Sequence, residues 1–187
     1  MKNKGQTIRR RLIPLLLAVM LSLVSLTACA QQDAKKAAKG LLDACIACDG
    51  MAYAAIMGSE ERVSLTDVEI HTLTRMTYRI VSAKVSGTRA VITADIRIID
   101  LMNTLNMIFL YTNEASKSET EFDPNMMLLE LLNSGDAEYG MFRAEIPLTL
   151  QNDSWALDTA SVGDDLRDAL SGGSYSWWKL YNEYYLK

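Results

Sequence analysis

The chain has 187 residues, 49% of them apolar and 22% charged, with 10 Gly, 3 Pro and a formal charge of −4. That composition suits one packed domain and excludes a disordered, collagen-like or low-complexity chain. Three Cys and one His exclude a disulfide-dense scaffold and a conventional zinc domain.

Lys2, Lys4, Arg9, Arg10 and Arg11 make a basic opening with no acid among them. Leu12 to Leu26 is apolar apart from Pro14, Ser22 and Ser25, and small residues follow. Basic, apolar, then small is the order of a secretory signal. The apolar run is short for a span, which needs about twenty residues. Leu26-Thr27-Ala28-Cys29 resembles the lipobox of bacterial lipoproteins. The resemblance implies cleavage between Ala28 and Cys29, and a diacylglyceryl thioether on Cys29, often with a further palmitate-type N-acyl chain. Two or more acyl chains anchor a protein stably, whereas one is marginal. Residues 1–28 are then a signal peptide, and 29–33 are a lipidated cysteine and short tether. The expected place is the extracytoplasmic face of the cell membrane, with the lipid bilayer as partner through acylated Cys29. An ordinary secretory signal with a chance cysteine is the alternative.

Loss of residues 1–28 removes five of the 19 basic side chains and none of the 23 acidic ones, leaving a formal charge of −9 over 159 residues. Such a surface repels phosphate backbones, so nucleic acid is not an expected partner. Ala30 to Ala34 read as a polar leash with a reach of roughly 20 Å at about 3.3 Å per residue. Lys35, Lys36 and Lys39 follow at the membrane-proximal end, either leaning on anionic lipid or forming an ordinary solvated helix face.

Asp33 can cap a helix from Ala34. Ala38, Leu41, Leu42, Cys45, Cys48, Ala52 and Ile56 recur at three- and four-residue steps, an apolar stripe. Asp49-Gly50 divides it into helices near 34–48 and 51–57, and Gly58 is a C-terminal stop. Ser64-Leu65-Thr66-Asp67 restarts a third helix to about Arg75. Periodicity then changes to two. Tyr78 to Val85 reads as a strand, Ser86-Gly87 as a two-residue turn, and Ala90, Ile92, Ala94, Ile96 and Ile98 as the apolar face of its antiparallel partner. Asp100 caps a helix over 101–113. Asn113 to Phe122 reads as a loop. Asp123-Pro124 starts another helix, which Gly135 ends. Phe142, Ala144, Ile146, Leu148 and Leu150 form a second amphipathic strand, with Pro147 marking an edge or a bulge. Asn152-Asp153-Ser154 turns into Trp155-Ala156-Leu157. A short helix at 165–170 stops at Gly172-Gly173, and an aromatic helix covers 174–187. The expected class is α+β. N-terminal helices pack on a curved antiparallel sheet of about four strands in two hairpins. Two helices are inserted between the hairpins, and one more ends the chain.

The helical pair around Asp49-Gly50, the hairpin Tyr78–Ile99, the late hairpin ending in Trp155-Ala156-Leu157-Asp158, and Asp165 to Gly173 resemble small bacterial lipoproteins with a nuclear-transport-factor-2-like cone. The resemblance covers roughly 34–173. It implies a cavity between the sheet and the first helix, in a fold that hosts enzymes, pocket binders and interaction modules alike. The insertion of about forty residues between the hairpins departs from the simplest cone.

The Cys45-Ile46-Ala47-Cys48 pair lies on the core stripe with no strand before it, which fits buried small apolar residues better than a redox site. A bridge between Cys45 and Cys48 is geometrically open to the chain. His71 reads as a surface residue, and no nucleophile elbow, Walker A or G-x-G-x-x-G accompanies it. Cone enzymes hold an acid or histidine inside. Here Asp95 and Glu145 have the outward parity, so catalysis lacks its proton-transfer group. No catalytic residue, metal ligand or cofactor is expected. Met102, Met107, Ile92, Ile96 and Ile146, with Met126 and Met127, are candidate liners of an apolar pocket or fillers of a core. Trp177, Trp178, Tyr181 and Tyr185 are candidate interface residues, or the contact of a helix folded back on the sheet. The expected function is a non-catalytic binding or interaction module of the bacterial cell envelope, taking an apolar small molecule or an envelope protein. The alternatives are a small cone-fold isomerase or dehydratase on an apolar substrate, and a structural or dimerising envelope protein.

Overall fold

The computed structural model describes residues 28–117 and 124–185. Helix α1 runs over Ala28–Ile46, α2 over Gly50–Met57 and α3 over Asp67–Thr74. Strands β1 (Thr77–Ser86) and β2 (Arg89–Ile99) follow, then α4 (Leu101–Lys117) and α5 (Pro124–Ser134). Strands β3 (Tyr139–Gln151) and β4 (Ser154–Leu157) precede α6 (Asp164–Leu170) and α7 (Ser174–Tyr185). The strands form one antiparallel sheet in the order β1-β2-β3-β4. The class is α+β, as the alternation of helical and strand periods requires.

Local chemistry sets the boundaries. Asp49 caps α2 by accepting from the Met51 N–H at 2.9 Å, and Gly58 ends it at φ 87°. Thr66 and Glu69 close a capping box on α3, with Thr66 N–H donating to Glu69 Oε2 at 2.7 Å and Glu69 N–H to Thr66 Oγ1 at 3.3 Å. Asp100 Oδ1 accepts from the Asn103 N–H at 2.9 Å, which starts α4.

Core formation follows strand parity. Ala90, Ile92, Ala94, Ile96 and Ile98 on β2, with Ala144, Ile146 and Leu148 on β3, are buried against Ala34, Ala38, Leu42 and Cys45 of α1. Each fully buried Leu or Ile is worth roughly 1.5–3 kcal/mol. Strand β1 joins this face with a change of parity. Tyr78 and Ile80 pair with Ile96 and Ala94, but Ala83 and Val85 pair with Ile92 and Ala90. Val81 is the extra residue of a bulge, and it is exposed. A second cluster of Ile99, Leu101, Leu132 and Ala137, with Val68 and Leu128 against it, joins α3, α4 and α5 to the end of the sheet.

Several boundaries differ from those the sequence suggests. Residues 29–33 are helical, so Asp33 lies inside α1 and not at its cap. This stretch rises about 1.5 Å per residue, less than half the extended reach. The first core side chain is nonetheless Ala34. Cys48 is not helical; it sits at φ 59° in the turn between α1 and α2. The β1–β2 loop is Gly87-Thr88, because Ser86 still pairs with Arg89. Helix α4 continues to Lys117 through residues expected to be loop, and the expected cap Asp123 lies outside the described residues. Pro147 sits at no bulge. Its carbonyl accepts from the Asp158 N–H at 3.0 Å, so its nitrogen also faces the β4 side, beyond the last ladder pair Leu148–Leu157. Strand β3 is locally an edge there, and the missing N–H costs no ladder bond. Two residues earlier the Glu145 N–H on that same edge donates to Asp165 Oδ2 at 2.7 Å. The start of α6 therefore seals the edge that short β4 leaves open.

Candidate functional site

The space expected to be a cone cavity is closed. Ile92, Ile96 and Ile146, three of the expected pocket liners, have no exposed surface and pack against α1. The physical reason is fit. Small Ala34, Ala38 and Ala94 let α1 approach the sheet, and Leu42 fills the remaining depth. Met102 instead borders a shallow hollow with Phe142, Asp165 and Gly173. Met107 is half-buried on α4, Met127 is half-buried on α5, and Met126 is exposed. On the outer face of the sheet, Asp95 accepts from Arg79 Nη2 and Arg143 Nε, each at 2.8 Å. The Arg143 hydrogen bond, then that of Arg79, brings the Asp95 carboxyl down to about 2. The Tyr78 hydroxyl donates to Asp43 Oδ1 of α1 at 2.6 Å. Burial, with the Asp43 hydrogen bond and charge, pushes Tyr78 up to about 12. Cys45 and Cys48 are both free thiols. Burial raises Cys45 to about 12, a packed residue and a poor nucleophile. His71 is half-buried on α3.

The well-formed concavity lies elsewhere, on the helical side. A cavity of about 330 Å³ opens between α2 and α3 on one side and α4 and α5 on the other, with the α6–α7 turn closing it. Its apolar wall includes Met57, Val68, Leu101, Leu105, Leu128 and Leu170. Its polar groups include Tyr53, Glu69, Thr72, Tyr175 and Trp178, from α2, α3 and α7. Tyr53 is almost fully buried and half-exposed Trp178 stands at the opening. Burial, followed by the charge of Glu69 and a hydrogen bond with it, pushes the Tyr53 phenol well above its ordinary value. Glu69 Oε2 also accepts from Thr66 Oγ1 at 2.8 Å. The carboxylate is thus fixed in orientation and keeps acceptor capacity for a further donor. Thr72 spends its hydroxyl on the Val68 carbonyl at 2.7 Å.

Helix α7 does not fold back on the open sheet face. It lies along α6, held by Ser176 N–H to Asp168 Oδ1 at 2.8 Å and Lys179 Nζ to Asp164 Oδ2 at 2.6 Å. Of the aromatic residues expected at an interface, Trp177 and Tyr181 stack at 5.4 Å and Trp178 meets Tyr181 edge-on at 5.7 Å. All three are exposed, as are Leu180 and Tyr184. The Tyr185 side chain lies outside the described residues. Cys29 is exposed at the start of α1. Nearby Ala30, Asp33 and Lys36 border a surface hollow with Gly87, Asp153 and Trp155, which places this end of α1 beside the two hairpin turns.

Among the described residues, Trp178 alone of the site residues read from the sequence reaches the helical cavity. Tyr53, Glu69, Leu101, Leu105, Leu128 and Tyr175 were missed. The one local signal was the Thr66-x-x-Glu69 spacing of a capping box, which fixes Glu69 but says nothing of what it faces. No family model, curated protein or solved structure matches the chain. Among the described residues no cluster of three or more His, Cys, Asp or Glu could hold a metal ion, and no single helix is long and apolar enough to cross a membrane.

Proposed function

We propose that this chain is an extracytoplasmic lipoprotein, held at the cell membrane by an acylated Cys29, whose folded domain is a non-catalytic binding module of the bacterial cell envelope. The carrying observation is the order of the first 29 residues: five basic side chains, the apolar run Leu12–Leu26, then Leu26-Thr27-Ala28-Cys29. Exposure of Cys29 ahead of the first core residue, Ala34, is compatible with an acyl group there. Two features favour binding over turnover. The face of the sheet toward α1, where a nuclear-transport-factor-2-like enzyme would hold its acid, is lined with apolar side chains. The helical cavity is instead mostly apolar with a few polar groups, the usual make-up of a ligand site.

The test is intact-mass analysis of the protein extracted from its native host. A chain beginning at Cys29 with a diacylglyceryl adduct is the expected result. An unmodified chain starting elsewhere overturns the anchor. A second reading, an envelope protein that dimerises, draws on the exposed Trp177, Leu180 and Tyr184 of α7. It requires a dimer by sedimentation that Trp177→Lys with Leu180→Lys converts to monomer.

A further inference from the structure

The helical cavity carries a charge preference that its apolar area alone does not explain. Among the described residues Glu69 is the one carboxylate on its wall, and no lysine or arginine lines it. Tyr53 and Trp178 line the same cavity as the carboxylate, Tyr53 almost fully buried and Trp178 half-exposed. A carboxylate among aromatic rings above an apolar wall is complementary to an organic cation. The rings attract the cation through their faces and the carboxylate supplies the counter-charge. Tyr175 is assigned no part in this, because Arg167 already stands 5.4 Å from its ring and Nη1 of that arginine contacts the Tyr175 hydroxyl at 3.5 Å. The excess of acids in residues 29–187 adds a weak long-range attraction of the same sign.

We infer that the cavity between α2, α3, α4 and α7 binds an organic ammonium ion with an apolar body, the ammonium at Glu69 and Tyr53 and the body against Leu101, Leu105 and Leu170. The inference deepens the binding reading above and is independent of the lipid anchor. At about 330 Å³ the space admits a compact amphiphile of one ring or a short chain and not a folded partner.

The experiment uses the full chain in lipid nanodiscs and three water-soluble probes of similar size: phenyltrimethylammonium, benzyl alcohol and benzenesulfonate. Binding is followed by NMR of the Trp178 indole and the Tyr53 ring. Phenyltrimethylammonium is expected to shift both signals and benzenesulfonate neither, with benzyl alcohol weaker than the cation. Glu69→Gln keeps the reach back to the Thr66 N–H, because glutamine also serves in a capping box. It removes only the charge, so it isolates the electrostatic part. It is expected to weaken the cation by about fivefold to tenfold and leave benzyl alcohol unchanged. Trp178→Ala, on a half-exposed side chain, should weaken the cation without unfolding the domain. Equal binding of cation and alcohol, or full cation binding by Glu69→Gln, overturns the cation preference and leaves an apolar binding site standing. Silence of all three probes overturns this inference and also counts against the binding reading itself.

Discussion

Two glycines with the same positive φ give a direct test of how the chain closes its helical half. Gly87 and Gly172 both have φ +59°, a region where an L-residue pays roughly 1–2 kcal/mol more than glycine. At Gly87 an added Cβ meets nothing within 4 Å. Gly87→Ala should therefore cost that conformational amount alone, about 1–2 kcal/mol. At Gly172 the same Cβ would lie 2.3 Å from the Ile99 carbonyl oxygen and 3.0 Å from the Leu101 nitrogen. Both are backbone atoms that cannot turn aside. Overpacking adds typically 1–3 kcal/mol, so Gly172→Ala should lose about 2–5 kcal/mol in total. Thermal unfolding of the two variants, followed by near-UV circular dichroism, separates these terms. At about 2–4 °C per kcal/mol for a chain of this size, Gly172→Ala should melt several degrees below Gly87→Ala. Gly172 also receives the Met102 N–H on its carbonyl at 3.3 Å, which seats the α6–α7 turn on the start of α4. The variant should thus disturb the cavity wall at Leu101 and Leu170 as well. Equal melting points would refute the close approach of that turn to Ile99–Leu101, and with it the shape of the cavity.

Other outcomes follow from the core and from the charged contacts. Leu42→Ala opens the packing of α1 on the sheet and should cost about 2–5 kcal/mol in urea unfolding; a loss below about 1 kcal/mol would mean that α1 is not seated there. The Asp95 carboxyl, lowered to about 2 from an ordinary 3.8, binds its proton more weakly folded than unfolded. Its stabilising contribution is present above pH 3.8 and is lost as pH falls toward 2. Asp95→Asn should flatten that acid limb, and the carboxyl ¹³C shift of Asp95 should titrate below those of exposed aspartates. Tyr78 has the opposite sign, because its folded value is the raised one, so its contribution is complete below pH 10 and is lost as pH rises toward 12. Tyr78→Phe should cost about 0.5–1.5 kcal/mol at neutral pH and reduce by one phenol the late part of the phenolate absorbance titration, which Tyr53 still supplies.

The fold was legible wherever one local rule set the structure. The alternation Ala90-x-Ile92-x-Ala94-x-Ile96-x-Ile98 has a single solution, a strand with one buried face. Asp49, Asp100 and Gly58 mark helix ends through their own side chains or their own φ. The errors fell where a neighbour in space outweighed local preference. Asp33 is a good cap, yet the helix runs through it. Pro147, by contrast, takes the edge alternative that a proline suggests, without a bulge, because β4 stops one residue short of it. The change of parity in β1 was visible in Tyr78, Ile80, Ala83 and Val85, but only pairing with β2 identifies Val81 as the bulged residue.

The site was less legible for the same reason. Tyr53 reads locally as one aromatic among alanines, Glu69 as half of a capping box, and Leu105 as part of a helical stripe. Each description is correct, and none implies that the three share a cavity, since they come from three helices. By itself the sequence determined the strand faces, most helix ends and the lipobox-like opening, because periods, caps and short motifs act over a few residues. Only tertiary structure decided that α1 packs closely on the sheet and that the open space lies among the later helices. Where a void remains depends on how closely distant side chains fit together, and no local pattern encodes that fit.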